Sequence, residues 1–257
     1  MLHDGNVDGD QVGANPAFIR QRLHRWAHRH GRVFVWRTWT DDYRLLVTEV
    51  LLKQTRAEDV AQIVDELFGR FPDPASLAKA DEQLEGLIRH LGLVRQRARQ
   101  LRDLAEALES GAPTVTNDEL GRLPGIGPYS AGMVAAMHGD PLAVAVDTNV
   151  ARVVCRLFDL TPTHFEARKS TNVWRVTQVL VGRHRRVRTI WAVLDLAAAV
   201  CTAHKPLCTV CPILPDCAYG SVRVTEVNQH RPKASTQNAK AKRGSQPRRD
   251  GLQGRRS

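Results

Sequence analysis

Helical periodicity runs through the chain, and the strict alternation of a half-buried strand is almost absent. Residues 15–31, "NPAFIRQRLHRWAHRHG", set Phe18, Leu23 and Trp26 on one predicted face and close on a glycine. Residues 41–55 are apolar enough for a buried helix, and residues 56–71 continue with alternating faces. Pro72 and Pro74 break that run. The segments 80–92 and 94–111 each end on glycine, as helices often do. Further helices are predicted over 148–158, 163–182 and 188–201. No internal repeat is evident, so the pattern predicts an all-α fold with short connections.

Within 94–111, Arg95, Arg97, Arg99 and Arg102 are expected on a solvated face, with Leu101, Leu104 and Leu108 turned inward. Between the middle helices lies "ELGRLPGIGPYSAGMVAAM", which reads as a short helix, a turn through Gly125 and Gly127, and a helix starting near Pro128. Glycine permits a left-handed backbone and a close approach by another chain, and proline suits a first helical position. The amides of such a turn can face a phosphate. Eighteen residues after Tyr129, Asp147 follows the apolar run "AVAV" and precedes a helix, a favoured place for a capping aspartate.

Composition changes the picture in two ways. At 42% hydrophobic and 25% charged, the chain can bury a real core. The formal charge of +10 is unevenly placed. From Ser221 onward ten Lys or Arg face only Glu226 and Asp250, which leaves +2 on the first 220 residues. That end is also poor in large apolar residues, so 221–257 reads as a disordered basic tail that would strengthen binding to a polyanion without reading sequence. Residues 1–15 likewise read as disordered. No stretch reaches the roughly 18 uncharged apolar residues of a membrane span, and "MLHDGNVDGDQVGANP" lacks the segments of a secretory signal. A cytoplasmic protein with no membrane partner is the expectation.

Four cysteines crowd into "CTAHKPLCTVCPILPDC": Cys201, Cys208, Cys211 and Cys217, spaced C-x6-C-x2-C-x5-C. Such a four-thiolate loop suits either tetrahedral zinc or an iron–sulfur cluster, and the ligand chemistry does not separate the two. His204 lies inside the loop but is surplus to four cysteines. Cys155, among Val153, Val154 and Leu157, reads as a small buried hydrophobe.

The hairpin "LPGIGPYSAG", then "VDTNVARV", then the cysteine loop together resemble the helix-hairpin-helix DNA glycosylase superfamily, the relatives of endonuclease III, over roughly residues 16–220. The resemblance implies two helical lobes. Residues 41–159 would form a six-helix barrel carrying the hairpin, and residues 16–40 with 160–220 a lobe holding a [4Fe-4S] cluster on the four cysteines. It further implies a monomer associated with the nucleoid, with double-stranded DNA carrying a mismatched or damaged base across the groove between lobes. Pro124, Gly125, Ile126 and Gly127 of the hairpin, with Asn149, would contact that DNA. Asp147 matches the catalytic aspartate, whose carboxylate would stabilise positive charge developing on the sugar or orient the attacking water after base flipping. Tyr129 stands where strand-cleaving relatives carry a lysine. A phenol cannot form a Schiff base, so base removal without efficient strand cleavage is implied.

"WRTWTDDYRLLVTEVLLKQT" (36–55) resembles a segment shared by adenine and thymine mismatch glycosylases. Glu49 matches the acidic pocket residue, where burial would raise its pKa and suit it to proton donation. Gln54 matches the residue that wedges into the stack. Lys53 departs from the paired glutamines usual in adenine enzymes. "LGLVRQRARQLRDLA" (91–105) resembles the thymine enzymes, and the short extension after Cys217 lacks the further domain typical of adenine enzymes. Removal of thymine or uracil opposite guanine is therefore expected, with adenine opposite 8-oxoguanine or guanine, or a bifunctional glycosylase/lyase, as alternatives.

Overall fold

In a computed structural model, the structure describes residues 15–111, 116–184 and 186–229. The first fourteen residues and the basic segment after 229 lie outside the described residues. So does the expected tail, apart from residues 221–229, which are helical rather than irregular.

In chain order the α-helices are α1 (Pro16–His30), α2 (Asp42–Leu51), α3 (Ala57–Ala61), α4 (Val64–Arg70), α5 (Pro74–Ala78), α6 (Glu82–Leu87), α7 (Val94–Glu109), α8 (Asn117–Leu120), α9 (Pro128–Met137), α10 (Thr148–Phe158), α11 (Thr171–Val181), α12 (Arg186–Ala199) and α13 (Ala218–Gln229). No strand occurs among the described residues, so the all-α reading holds. Local chemistry sets many boundaries. Asn15 caps α1 through its side chain, Asp41 caps α2, and Asp73 forms a capping box with Ser76 on α5. Pro74 therefore opens a helix at its first position instead of merely ending one. The predicted helix over 163–182 forms only from Thr171, because residues 161–170 fold into turns knit by His164, Ser170 and Asn172.

Two sequence expectations change. On α1 the inward residues are Ile19 and Leu23, and Phe18 is exposed. Four residues bring the chain back to the same side of a helix, whereas the five from Phe18 to Leu23 do not. On α7, Leu101 and Leu104 are buried and Arg95 and Arg99 exposed as expected, but Arg97 is only 3% exposed.

Helices α2, α5, α6, α7 and α9 pack about one part of the core, and α1, α10, α11, α12 and α13 about another. Helix α10 sits on α11, α12 and α13. The chain between α1 and α2 is tied to α12 by Asp195. This buried carboxylate accepts from Arg32 Nε at 2.8 Å and from both Nη of Arg37 at 2.9 Å. Burial alone would raise its pKa, but the Arg37 and Arg32 hydrogen bonds hold it below the usual carboxylate range.

Between α9 and α10 the chain runs without regular secondary structure through Ala143–Val146, all buried. Gly132 of α9 lets this segment come close, since a Cβ there would stand 2.0 Å from Val144 O. Gly132→Ala should therefore lower stability by about 1–3 kcal/mol, read as a fall in Tm, and displace the segment that ends at Asp147.

Candidate active site

Asp147 occupies the N-cap of α10 and is half-buried. Its Oδ1 accepts from Val150 N at 2.7 Å and its Oδ2 from Asn149 Nδ2 at 2.8 Å. The capping reading is thus correct, and it fixes the carboxylate's orientation. Asn149 is itself held, because its Oδ1 accepts from Arg152 Nη1 at 3.0 Å. Arg152 Nε then donates to Cys201 O at 3.0 Å and its Nη2 to Ala197 O at 3.2 Å. A continuous chain of hydrogen bonds runs from the aspartate to the backbone of the first cysteine.

Glu49 lies on the buried side of α2, 8% exposed, and its Oε2 has no hydrogen-bond partner. Burial pushes its pKa up to about 7; a hydrogen bond from the Ser130 side chain and the charge of Lys53 pull the other way, and Asp147 adds to the rise. Tyr129, in the first turn of α9, has its phenol pKa raised well above the ordinary value by burial, then by the charges of Glu49 and Asp147. Arg37 and Arg32 oppose that rise. Tyr129 is therefore a neutral phenol beside two carboxyl groups. The structure brings Glu49, Tyr129 and Asp147 to one place from three separate helices.

The hairpin adjoins them. Gly125 is left-handed, with φ +73°, as its turn requires. Gly127 is extended, a conformation open to any residue, and caps α9 with nothing of the protein within 4 Å of where a Cβ would stand. Ile126 is buried, so its side chain anchors the turn and leaves only its backbone for a partner. Pro124 is half-buried. Lys53 Nζ donates to Gly125 O, and its burial lowers the ammonium pKa against the pull of Glu49. Gln54 projects beyond it, exposed, with a left-handed φ of 53°.

The four cysteines line one small cavity with Val153, Leu157 and Leu196, and none is disulfide-bonded. Burial pushes the Cys211 thiol up to about 11, with Cys217, Cys201 and Cys208 adding to the rise. The four cysteines share that cavity, where a cationic group would favour their thiolate forms. Among the described residues, no three His, Cys, Asp or Glu donors are set to hold a single metal ion. Arg156 donates to Cys201 Sγ at 3.5 Å and to Thr202 O at 2.7 Å, and stacks 4.8 Å over Tyr219. His204 is exposed, outside the cavity, and Cys155 is half-buried on α10.

Ser130, Arg152 and Asp195 were not singled out from sequence. Only Asp195, an acid within the apolar run "WAVLDLAAAV", carried a visible signal.

These features define an all-α protein with a carboxyl pair and a phenol beside a glycine hairpin. The family model described as "HhH-GPD superfamily base excision DNA repair protein" matches residues 47–184. The thymine-DNA glycosylase of Aeropyrum pernix is 32% identical, covering 78% of this chain and 93% of its own. The adenine DNA glycosylase of Mus musculus is 30% identical over 82% of this chain, which spans 43% of that relative. Among solved structures, a thermostable thymine-DNA glycosylase superposes with a TM-score of 0.72 at 26% identity, covering 81% of this chain and 97% of the other. An endonuclease III–DNA complex gives 0.67 at 26% identity, covering 82% and 98%. The chain belongs to the HhH-GPD superfamily of base excision DNA repair proteins. Within that superfamily it is a DNA N-glycosylase.

Proposed function

We propose that this enzyme is monofunctional: it binds double-stranded DNA, extrudes a thymine or uracil paired with guanine, and hydrolyses its N-glycosidic bond. The observation that carries this reading is the trio of Glu49, Tyr129 and Asp147. Loss of a base leaves positive charge on the sugar, and the Asp147 carboxylate, aimed by Val150 N and Asn149, stabilises that charge. Glu49, with a pKa near 7, holds a proton it can pass to the departing base. Tyr129 offers a hydroxyl in place of the amine that strand cleavage through a Schiff base would need. Similarity to thymine-DNA glycosylases over most of their length supports a pyrimidine substrate.

Glu49 also favours a second reading, because a buried proton donor suits the departure of adenine, and adenine glycosylases are among the relatives. One experiment separates the two. Duplexes carrying T:G, U:G, A:8-oxoguanine and A:G are incubated with the enzyme, and abasic sites are revealed with alkali. Release from T:G and U:G is expected, with strand breaks only after alkali and no covalent adduct on borohydride treatment. Release from the adenine duplexes alone would overturn the substrate, and a trapped adduct would overturn the monofunctional reading.

The cysteine cavity is read as the seat of a [4Fe-4S] cluster. Its four cysteines, apolar walls and Arg156 beside Cys201 fit that group. When bound, the cluster supplies a compact thiolate-ligated anchor for residues 201–217. The chain's own residues do the rest: Arg152 transmits the loop's position to Asn149, and Asn149 holds Asp147. Iron and acid-labile sulfide in equal amounts are expected in the purified protein, with both lost in Cys211→Ser.

A further inference from the structure

Arg97 is a buried charge that the reading above leaves unused. Its guanidinium has no carboxylate partner among the described residues and is held by neutral oxygens from two turns. From one turn, Lys53 O accepts from Nη2 at 2.7 Å and Thr55 Oγ1 from the same nitrogen at 2.8 Å. From the other, Leu91 O accepts from Nη1 at 2.8 Å, and Gly92 O accepts from it as well. Thr55 Oγ1 also donates to Lys53 O at 3.1 Å, closing the first turn on itself. A buried cation without a counter-charge is costly, so its retention calls for a reason beyond packing.

Both turns it grips carry unusual backbone. Gln54 has φ 53° and Leu93 φ 51°, left-handed values that are unfavourable for residues with a Cβ. Both side chains are exposed. Left to itself, either turn would relax toward ordinary angles and carry its side chain with it. Such strain persists only where the surroundings over-determine it, and Arg97 supplies four of the bonds that do so. On the other flank of Gln54, Lys53 reaches Gly125 O, so the wedge turn is fastened to the hairpin as well.

We infer that Arg97 is a positioning residue for base extrusion: it holds the Lys53–Thr55 turn so that Gln54 stands ready to fill the space a flipped nucleotide vacates. The inference rests on the proposed glycosylase reading, but concerns how the base leaves the helix and not which base is cut. A lysine at 97 keeps the charge but cannot fork to two turns at once.

The test uses Arg97→Lys in the full-length enzyme, with single-turnover base release measured on two substrates. One carries the target base paired with guanine; the other carries it opposite an abasic analogue, where no pairing has to be broken. A 2-aminopurine beside the target reports extrusion by its fluorescence, whichever base is removed. Release from the paired duplex should fall about tenfold or more with loss of the fluorescence rise, while release from the unpaired substrate falls less than about threefold. Gln54→Ala should show the same selectivity, and the double variant should lose no more than Gln54→Ala alone. Thr55→Val removes one of the four acceptors and is the milder variant should Arg97→Lys fold poorly; a smaller effect of the same kind is expected. Equal losses on both substrates, or additive losses in the double variant, would overturn the inference. Failure of the wild-type enzyme to release any base, with the fluorescence rise intact, would instead count against the proposed function.

Discussion

Asp147→Asn should slow base release roughly a thousandfold, the scale of losing a dedicated electrostatic stabiliser, while duplex affinity stays within a few-fold. The separation follows from the two tasks of this side chain. Asparagine caps helices about as well as aspartate, so the bond to Val150 N survives and α10 keeps its start. What disappears is the negative charge that the proposed mechanism sets against the sugar. Tm should therefore barely move while turnover collapses, a pattern that simple unfolding cannot imitate. Wild-type turnover in this variant would remove the catalytic assignment. The neighbouring Asn149 offers a gradation: it orients one oxygen of Asp147 without carrying charge, so its replacement should cost less.

Glu49→Gln should give the second large effect, and in opposite directions for activity and stability. The folded-state pKa stands near 7 against an ordinary 4.5, chiefly through burial. Folding therefore takes up a proton between those values. The stability linked to this group is fully present below about 4.5 and is lost as pH rises through about 7. Glutamine escapes that loss, so the variant should be more stable than wild type by about 3 kcal/mol at pH 8.5 and no more stable below pH 4.5. Activity follows the same proton. Wild-type single-turnover release should be flat between about pH 5 and 6 and fall about tenfold per unit well above pH 7. The variant should be slow throughout, with that limb of the profile absent. Chemical denaturation at the two pH values and a pH–rate profile test both halves. Equal stability of the two proteins at pH 8.5 would mean that Glu49 is not the buried proton store the structure describes.

Much of the fold was legible because it is local. The 3.6-residue pattern located α1, α2, α7, α10 and α12, and Asp147 could be named as a cap since capping needs only a side chain and the next turn. The cysteine loop was legible for the same reason, as four donors within seventeen residues need no distant chain to meet. Irregular backbone was harder. The turns over 161–170 depend on Ser170 and Asn172 reaching back across the loop, and periodicity does not register such bonds. Helix α13 was missed because its composition resembled a solvated tail, whereas packing on α10 gives Tyr219 a partner in Arg156.

The amino-acid pattern alone determined the class of fold, the hairpin, the candidate acids and the crowded cysteine loop, because each is written in spacings shorter than a few helical turns. Only the tertiary structure decided what state those groups are in. The raised proton affinity of Glu49, the neutrality of Tyr129, the burial of Arg97 and the path from Asp147 through Asn149 and Arg152 to Cys201 come from residues far apart in the chain. Desolvation and hydrogen bonding depend on what packs around a group, and that is settled when the helices come together.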